Sequence, residues 1–361
     1  MILSSFSYKE SGWELVELAP LSSVNLLVGK NATGKSRSLR AIHNITTFLQ
    51  MKDYLMDSRS FEANLTFISQ EAGDWKLEYS FNINEGVVEK EVLTVGDETL
   101  ITRSKTGVKY KDETINPPSD KLVAQIRRDK DQFPEIEMLM LWAEGVIFFF
   151  FLELNSHTLL DTGKVQNVYS FSHLVDSLSA TDHKMVLNHA QTLGFNISSI
   201  KTVEAVKGVR LVQIKEKSVA NEMIDAQLSN GMLRTLYLLC FASVMKHNKK
   251  LSMLLIDDLG EGLDYRRSVA LGKIIFDDCK QNGVQLIVCS NDAFLMDIVD
   301  IDHWQVLSRK NSRVTTINSQ THPGLFREFR MTGLCAFGLF CSVFVVGFLC
   351  GVGCGGGGGG G

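Results

Sequence analysis

Val24-Asn25-Leu26-Leu27-Val28-Gly29-Lys30-Asn31-Ala32-Thr33-Gly34-Lys35-Ser36 is the stretch on which the fold turns. Its first five residues make a short buried-strand pattern, and glycines then punctuate a loop of the form G-x-x-x-x-G-K-S. Leu39, Ile42, Ile45 and Leu49 recur at helical spacing, so the loop joins a strand to a helix. Phosphate-binding loops require this context. The glycines let the backbone curl until successive N–H groups converge on phosphate oxygens, and the helix N-terminus adds positive potential. Gly29, Lys30, Asn31, Ala32, Thr33, Gly34, Lys35 and Ser36 are therefore the expected cradle. Lys35 would reach the β and γ phosphates, and the Ser36 hydroxyl would ligate Mg²⁺.

Far downstream, Leu251 to Asp258 reads LSMLLIDD. An apolar strand ending in an acid is what a phosphate loop needs for its magnesium. Asp257 is the expected metal ligand or its anchor, and Asp258 is placed to orient an attacking water. Around this strand the last third alternates helix and strand: helices at about 231–247 and 266–280, and a strand at Gln285–Cys289. That rhythm predicts an α/β fold, a P-loop NTPase with a mainly parallel central sheet. Residues 61–115 are short alternating segments separated by Asn, Gly and Asp, which predicts an antiparallel β subdomain. Ser119 is a candidate cap for a helix through DKLVAQIRRDK, and about 119–200 reads as a largely helical lobe. Residues 201–217 read as a hairpin turning at Lys207-Gly208, and a last hairpin is centred on Asn311.

At this point the chain resembles the ABC-type ATPases, in particular the heads of SMC and RecF proteins and the stand-alone bacterial relatives usually labelled AAA-family ATPases. Leu228-Ser229-Asn230-Gly231 looks like the signature loop L-S-G-G, Glu261-Gly262-Leu263-Asp264 stands at D-loop spacing, and Ser290-Asn291 sits where the family has its switch histidine. The resemblance covers about residues 1–330 as one ATPase unit. It implies ATP and Mg²⁺ as cofactors and hydrolysis of ATP to ADP and phosphate. It further implies an ATP-dependent homodimer, with Ser229 and Gly231 serving the partner's nucleotide and Asp264 of the D-loop among the nucleotide-binding residues. Asp258 takes the place of the family's catalytic glutamate, one methylene shorter, and Asn291 that of the histidine. Gln70 and Gln166 are both candidates for the Q-loop glutamine. Glu261 is a substitute base or a solvated loop acid.

The 361 residues are 45% hydrophobic and 22% charged with net charge −4, which excludes a disordered chain, a collagen and a coiled-coil rod. The start lacks the n-region and h-region of a signal peptide, so a cytoplasmic location is expected. Cys240, Cys279 and Cys289 read as reduced thiols without metal-ligand spacing. Arg127-Arg128 with Lys130, and Lys246 with Lys249-Lys250, are solvated helix ends or contacts to nucleic acid. Trp13 is either a strand tryptophan or a stacking partner for adenine. A partner nuclease or toxin, or a nucleic acid, is compatible with such an ATPase. The tail, 331–361, carries 12 of the 29 glycines and the apolar stretch Leu334–Cys350. From about 338 it reads as a reading-frame artefact, a docked segment or a membrane anchor; a membrane partner is expected only in the last case.

Overall fold

The computed structural model describes residues 1–50, 60–69, 75–149, 170–207, 209–290, 293–296 and 298–332. In chain order these form β1 (Ile2–Glu10), β2 (Trp13–Leu18), β3 (Val24–Val28) and α1 (Lys35–Leu49). The meander follows as β4 (Phe61–Ile68), β5 (Lys76–Asn84), β6 (Val87–Val95), β7 (Glu98–Ser104), β8 (Gly107–Tyr110) and β9 (Glu113–Ile115). Next come α2 (Val123–Ile126), α3 (Pro134–Glu144), β10 (Val146–Phe149), α4 (Phe171–Ser177) and α5 (Ala180–Thr192). Then β11 (Ile197–Val206), β12 (Val209–Glu216), β13 (Met223–Ile224), α6 (Asn230–Met245), β14 (Met253–Ile256), α7 (Tyr265–Gln281) and β15 (Gln285–Cys289). The chain continues through α8 (Ala293–Met296), β16 (Trp304–Lys310), β17 (Arg313–Ile317) and α9 (Pro323–Thr332).

One sheet runs β10-β14-β15-β3-β16-β17-β2-β1-β4-β5-β6-β7-β8-β9. From β10 to β16 the neighbours are all parallel. From β1 outward through β4 to β9 they are antiparallel. The expected parallel sheet and antiparallel meander are thus one continuous surface, joined where β17 runs parallel to β2. A separate sheet holds β11, β12 and β13.

Parallel strands must be covered on both faces, and alternation along them does this. Leu27 of β3, Met253 and Leu255 of β14, and Ile287 of β15 enter one core with Leu39, Ile42, Ile45 and Leu49 of α1. Leu26, Val28, Leu254, Ile256, Leu286 and Val288 enter the other, with α4 to α7. Each such aliphatic side chain contributes about 1.5–3 kcal/mol by leaving water. A polar substitution at Ile42 would break the stripe that seats α1.

The helix expected from Ser119 is shorter and capped differently. Only Val123–Ile126 is helical, and the Ser119 carbonyl accepts from Val88 N at 2.8 Å, which ties that residue to β6. The cap comes from the strand instead: Glu91 Oε2 accepts from Val123 N at 2.8 Å and Oε1 from Ala124 N at 3.2 Å. Burial pushes the Glu91 carboxyl above the usual range, against these hydrogen bonds and the Arg103 guanidinium. The stretch 119–200 also contains more than helix, because β10 pairs with β14 in the main sheet. Among the described residues, no helix is long and apolar enough to cross a membrane. The tail from Gly333 lies outside the described residues.

Candidate functional site

β3 ends at Val28, and Gly29 to Gly34 wind tightly before α1. A Cβ on Gly29 would stand 2.6 Å from Thr33 Oγ1 and 2.9 Å from the Leu307 carbonyl oxygen, so only glycine fits. Gly34 precedes α1 at φ 107, in the region that favours glycine, and no side chain caps the helix through it. No acid occupies the first turn of α1. Four N–H groups at a helix start have no acceptor within the helix. Here they border a narrow glycine cradle with no carboxylate in that turn, which fits a phosphate chain.

Lys35 is 6% exposed, and its Nζ donates to the Gly29 carbonyl at 2.7 Å and the Lys30 carbonyl at 3.2 Å. Burial lowers its pKa, while Cys289, Asp258 and Asp257 favour the charged form. Ser36 Oγ donates to Asp257 Oδ1 at 2.9 Å. The two expected metal ligands, 221 residues apart in sequence, are therefore in direct contact. The adjacency of β3, β15 and β14 brings them together. Asp257 is 4% exposed at the end of β14, and a hydroxyl with a carboxylate is an oxygen donor pair of the kind Mg²⁺ takes.

Sequence reading missed Cys289. At the end of β15 its Sγ donates to the same Asp257 oxygen that Ser36 reaches. Acceptor and donor atoms of Asp257, Asp258 and Cys289 lie within 4.8 Å of one another. The signal was available only through pairing, since Cys289 is one strand away from Asp257. Asp258 adopts φ 52, which an aspartate tolerates better than most residues. Burial raises its pKa, Asp257 and Glu261 add to this, and Lys35 and Arg234 oppose it. A carboxylate poised upward is a better proton acceptor than a free one.

Ser229 is the N-cap of α6, its hydroxyl accepting from Met232 N at 3.3 Å. Asp264 caps α7 in the same way, accepting from Arg267 N at 3.1 Å. Both are exposed. The two loops touch: a Cβ on Gly231 would lie 2.4 Å from the Gly262 carbonyl oxygen. Arg234 Nη1 donates to Glu261 at 2.5 Å, and the Glu261 side chain stays 60% exposed, as a solvated loop acid paired with α6.

Other expectations resolve by contact. Trp13 is 1% exposed within β2, packed beside Gly34 with the Arg37 guanidinium over its ring, so its face is covered. Arg128 is spent on Glu137 and Glu144, and Lys246 on Asp182. Cys240, Cys279 and Cys289 are free thiols and buried. Asn291, Gln70 and Gln166 lie outside the described residues.

No family model matches the chain, and no curated protein matches it. Solved structures do. An SMC head bound to the C-winged helix domain of ScpA aligns with TM-score 0.55 at 12% identity, over 88% of this chain and 97% of that one. An Smc head with an extended coiled coil, bound to the C-terminal domain of ScpA from Pyrococcus furiosus, aligns at 0.52 and 10% identity, over 91% and 99%. The fold is that of the SMC head domains, with their P-loop NTPase arrangement of strands and helices.

Proposed function

We propose that the chain is an ABC-type ATPase that binds ATP with Mg²⁺ and works through ATP-dependent dimerisation. The observation that carries this is the contact of Ser36 with Asp257 beside a glycine cradle into which Lys35 is buried. Bound Mg²⁺ would neutralise charge on the β and γ phosphates, with Ser36 and Asp257 as its protein ligands. The cradle, from Gly29 to Ser36, would hold the phosphates by backbone N–H groups. Lys35 would exchange its carbonyl partners for phosphate oxygens. Asp258 would take a proton from water, its raised pKa suiting it to that role.

Ser229 marks an exposed helix start and Asp264 an exposed cap, while Gly231 is buried against the Gly262 backbone between them. The exposed start of α6, which carries no acid in its first turn, would suit the γ-phosphate of a second copy. Asn291 would complete the site. The SMC-head fold supports this reading because those heads share the architecture. Slow turnover, which would make the protein a switch for a partner nuclease, toxin or nucleic acid, is the second reading. It is favoured by the short Asp258 where a longer acid is expected. The deciding test is light scattering of Asp258→Asn protein with ATP and Mg²⁺. The expected mass is that of a dimer, lost in Ser229→Arg. A monomer at saturating ATP, in a wild-type protein that still hydrolyses it, refutes the mechanism.

A further inference from the structure

Arg37 follows Ser36 in the first turn of α1. Its guanidinium carbon lies 4.7 Å from the centroid of the Trp13 ring, and Nη2 donates to Glu10 Oε1 at 2.8 Å. An aromatic ring and an ion pair from the β1–β2 hairpin thus hold a planar cation beside the loop. The indole is 1% exposed, whereas the Arg37 side chain is 46% exposed. Solvent meets the Arg37 side chain and not the ring.

Sheet order gives the direction in which a nucleotide must run. β15 and β14, with Cys289 and Asp257 at their ends, lie on one side of β3. β16, β17, β2 and β1 lie on the other. A triphosphate whose terminal phosphate is at Lys35 and Asp257 leads its nucleoside across the loop, away from β14. On that side stand Glu10, Trp13 and Arg37. Arg309 of β16 also reaches the loop there, donating to the Ala32 carbonyl at 3.3 Å.

We infer that Arg37, held by Trp13 and Glu10, is the platform on which the nucleobase stacks, so that the base is recognised by its face rather than its edge. This rests on the phosphate-loop reading above. Every purine offers such a face, so ATP and GTP both bind, while the single ring of a pyrimidine covers less of the plane.

Calorimetric titration of the full chain with ATP, GTP, CTP and inorganic tripolyphosphate, each with Mg²⁺, tests this. Arg37→Ala is expected to weaken ATP and GTP by about ten-fold or more, the scale of one desolvated stacking contact, and to leave tripolyphosphate unchanged. Arg37→Lys, which keeps the charge and loses the plane, is expected to behave like the alanine variant. The inference fails if ATP binding is unchanged in Arg37→Ala. It also fails if tripolyphosphate weakens equally or if lysine restores affinity, because either would make Arg37 a charge for phosphates. A wild-type protein that binds neither ATP nor tripolyphosphate overturns the phosphate-loop reading and this inference with it. One that binds both, with Arg37→Ala unaffected, overturns this inference alone.

Discussion

Lys35 is held between two carbonyls of its own loop, a partnership a phosphate can replace only with charge. Lys35→Ala is expected to abolish measurable turnover and weaken ATP by about 2–4 kcal/mol, the scale for removing one partner of a buried charged pair. Wild-type turnover in that variant, measured by phosphate release, would reject the loop assignment. Asp258→Asn is expected to bind ATP normally and retain it unhydrolysed, because the amide has the shape but takes no proton. Equal hydrolysis would remove Asp258 from the chemistry. The loop and the acidic strand were legible in sequence because each is local: glycine spacing and an apolar run ending in Asp. Cys289 was not, since its role beside Asp257 arises from strand pairing. Trp13 was legible as a strand residue, but its Arg37 cover arises from tertiary packing.

Elements are locked to one another at a few points, and those points carry their own tests. The backbones of the α6 and α7 entry loops meet at Gly231 and Gly262. Gly231→Ala must therefore displace backbone, and a loss of about 1–3 kcal/mol is expected by thermal denaturation, the usual scale of overpacking. An unchanged midpoint would mean the loops part easily. Asp182 of α5 ties down the end of α6: burial raises its pKa, but Lys246, Ser179 and His247 outweigh this and hold it at about 2, below the ordinary 3.8. A carboxylate with a depressed pKa stabilises the fold above the unfolded value and loses that stability as pH falls through the folded one. Asp182→Asn is thus expected to be less stable than wild type at neutral pH, the gap narrowing from about pH 4 towards pH 2. A gap independent of pH would show that packing, not charge, is lost. The capping of α2 by Glu91 was illegible, since the carboxylate comes from a strand 32 residues earlier.

At the scale of the molecule, the parallel core and the meander were both readable from periodicity, and their union into one sheet was not. Joining them requires β17 beside β2, a pairing set by the last hairpin and not by any local pattern. The composite-site mechanism makes its own demand here: adding ATP and Mg²⁺ to Asp258→Asn protein should double its mass, whereas ADP should not. A dimer equally stable with ADP would make assembly structural, and the nucleotide would not be its switch.

The position of β3 between β15 and β16 has a consequence for how the protein is made. Val24–Val28 leaves the ribosome well before either of its neighbours, which begin beyond residue 284. Until then an apolar strand waits with two unpaired edges, the condition that invites aggregation and chaperone capture. Pairing across so long a stretch of chain closes a large loop and slows folding. The proposed phosphate loop, encoded long before both of those strands, is thus expected to become competent only after they are made. A nascent chain arrested before Met253 should carry the whole motif and hold no nucleotide.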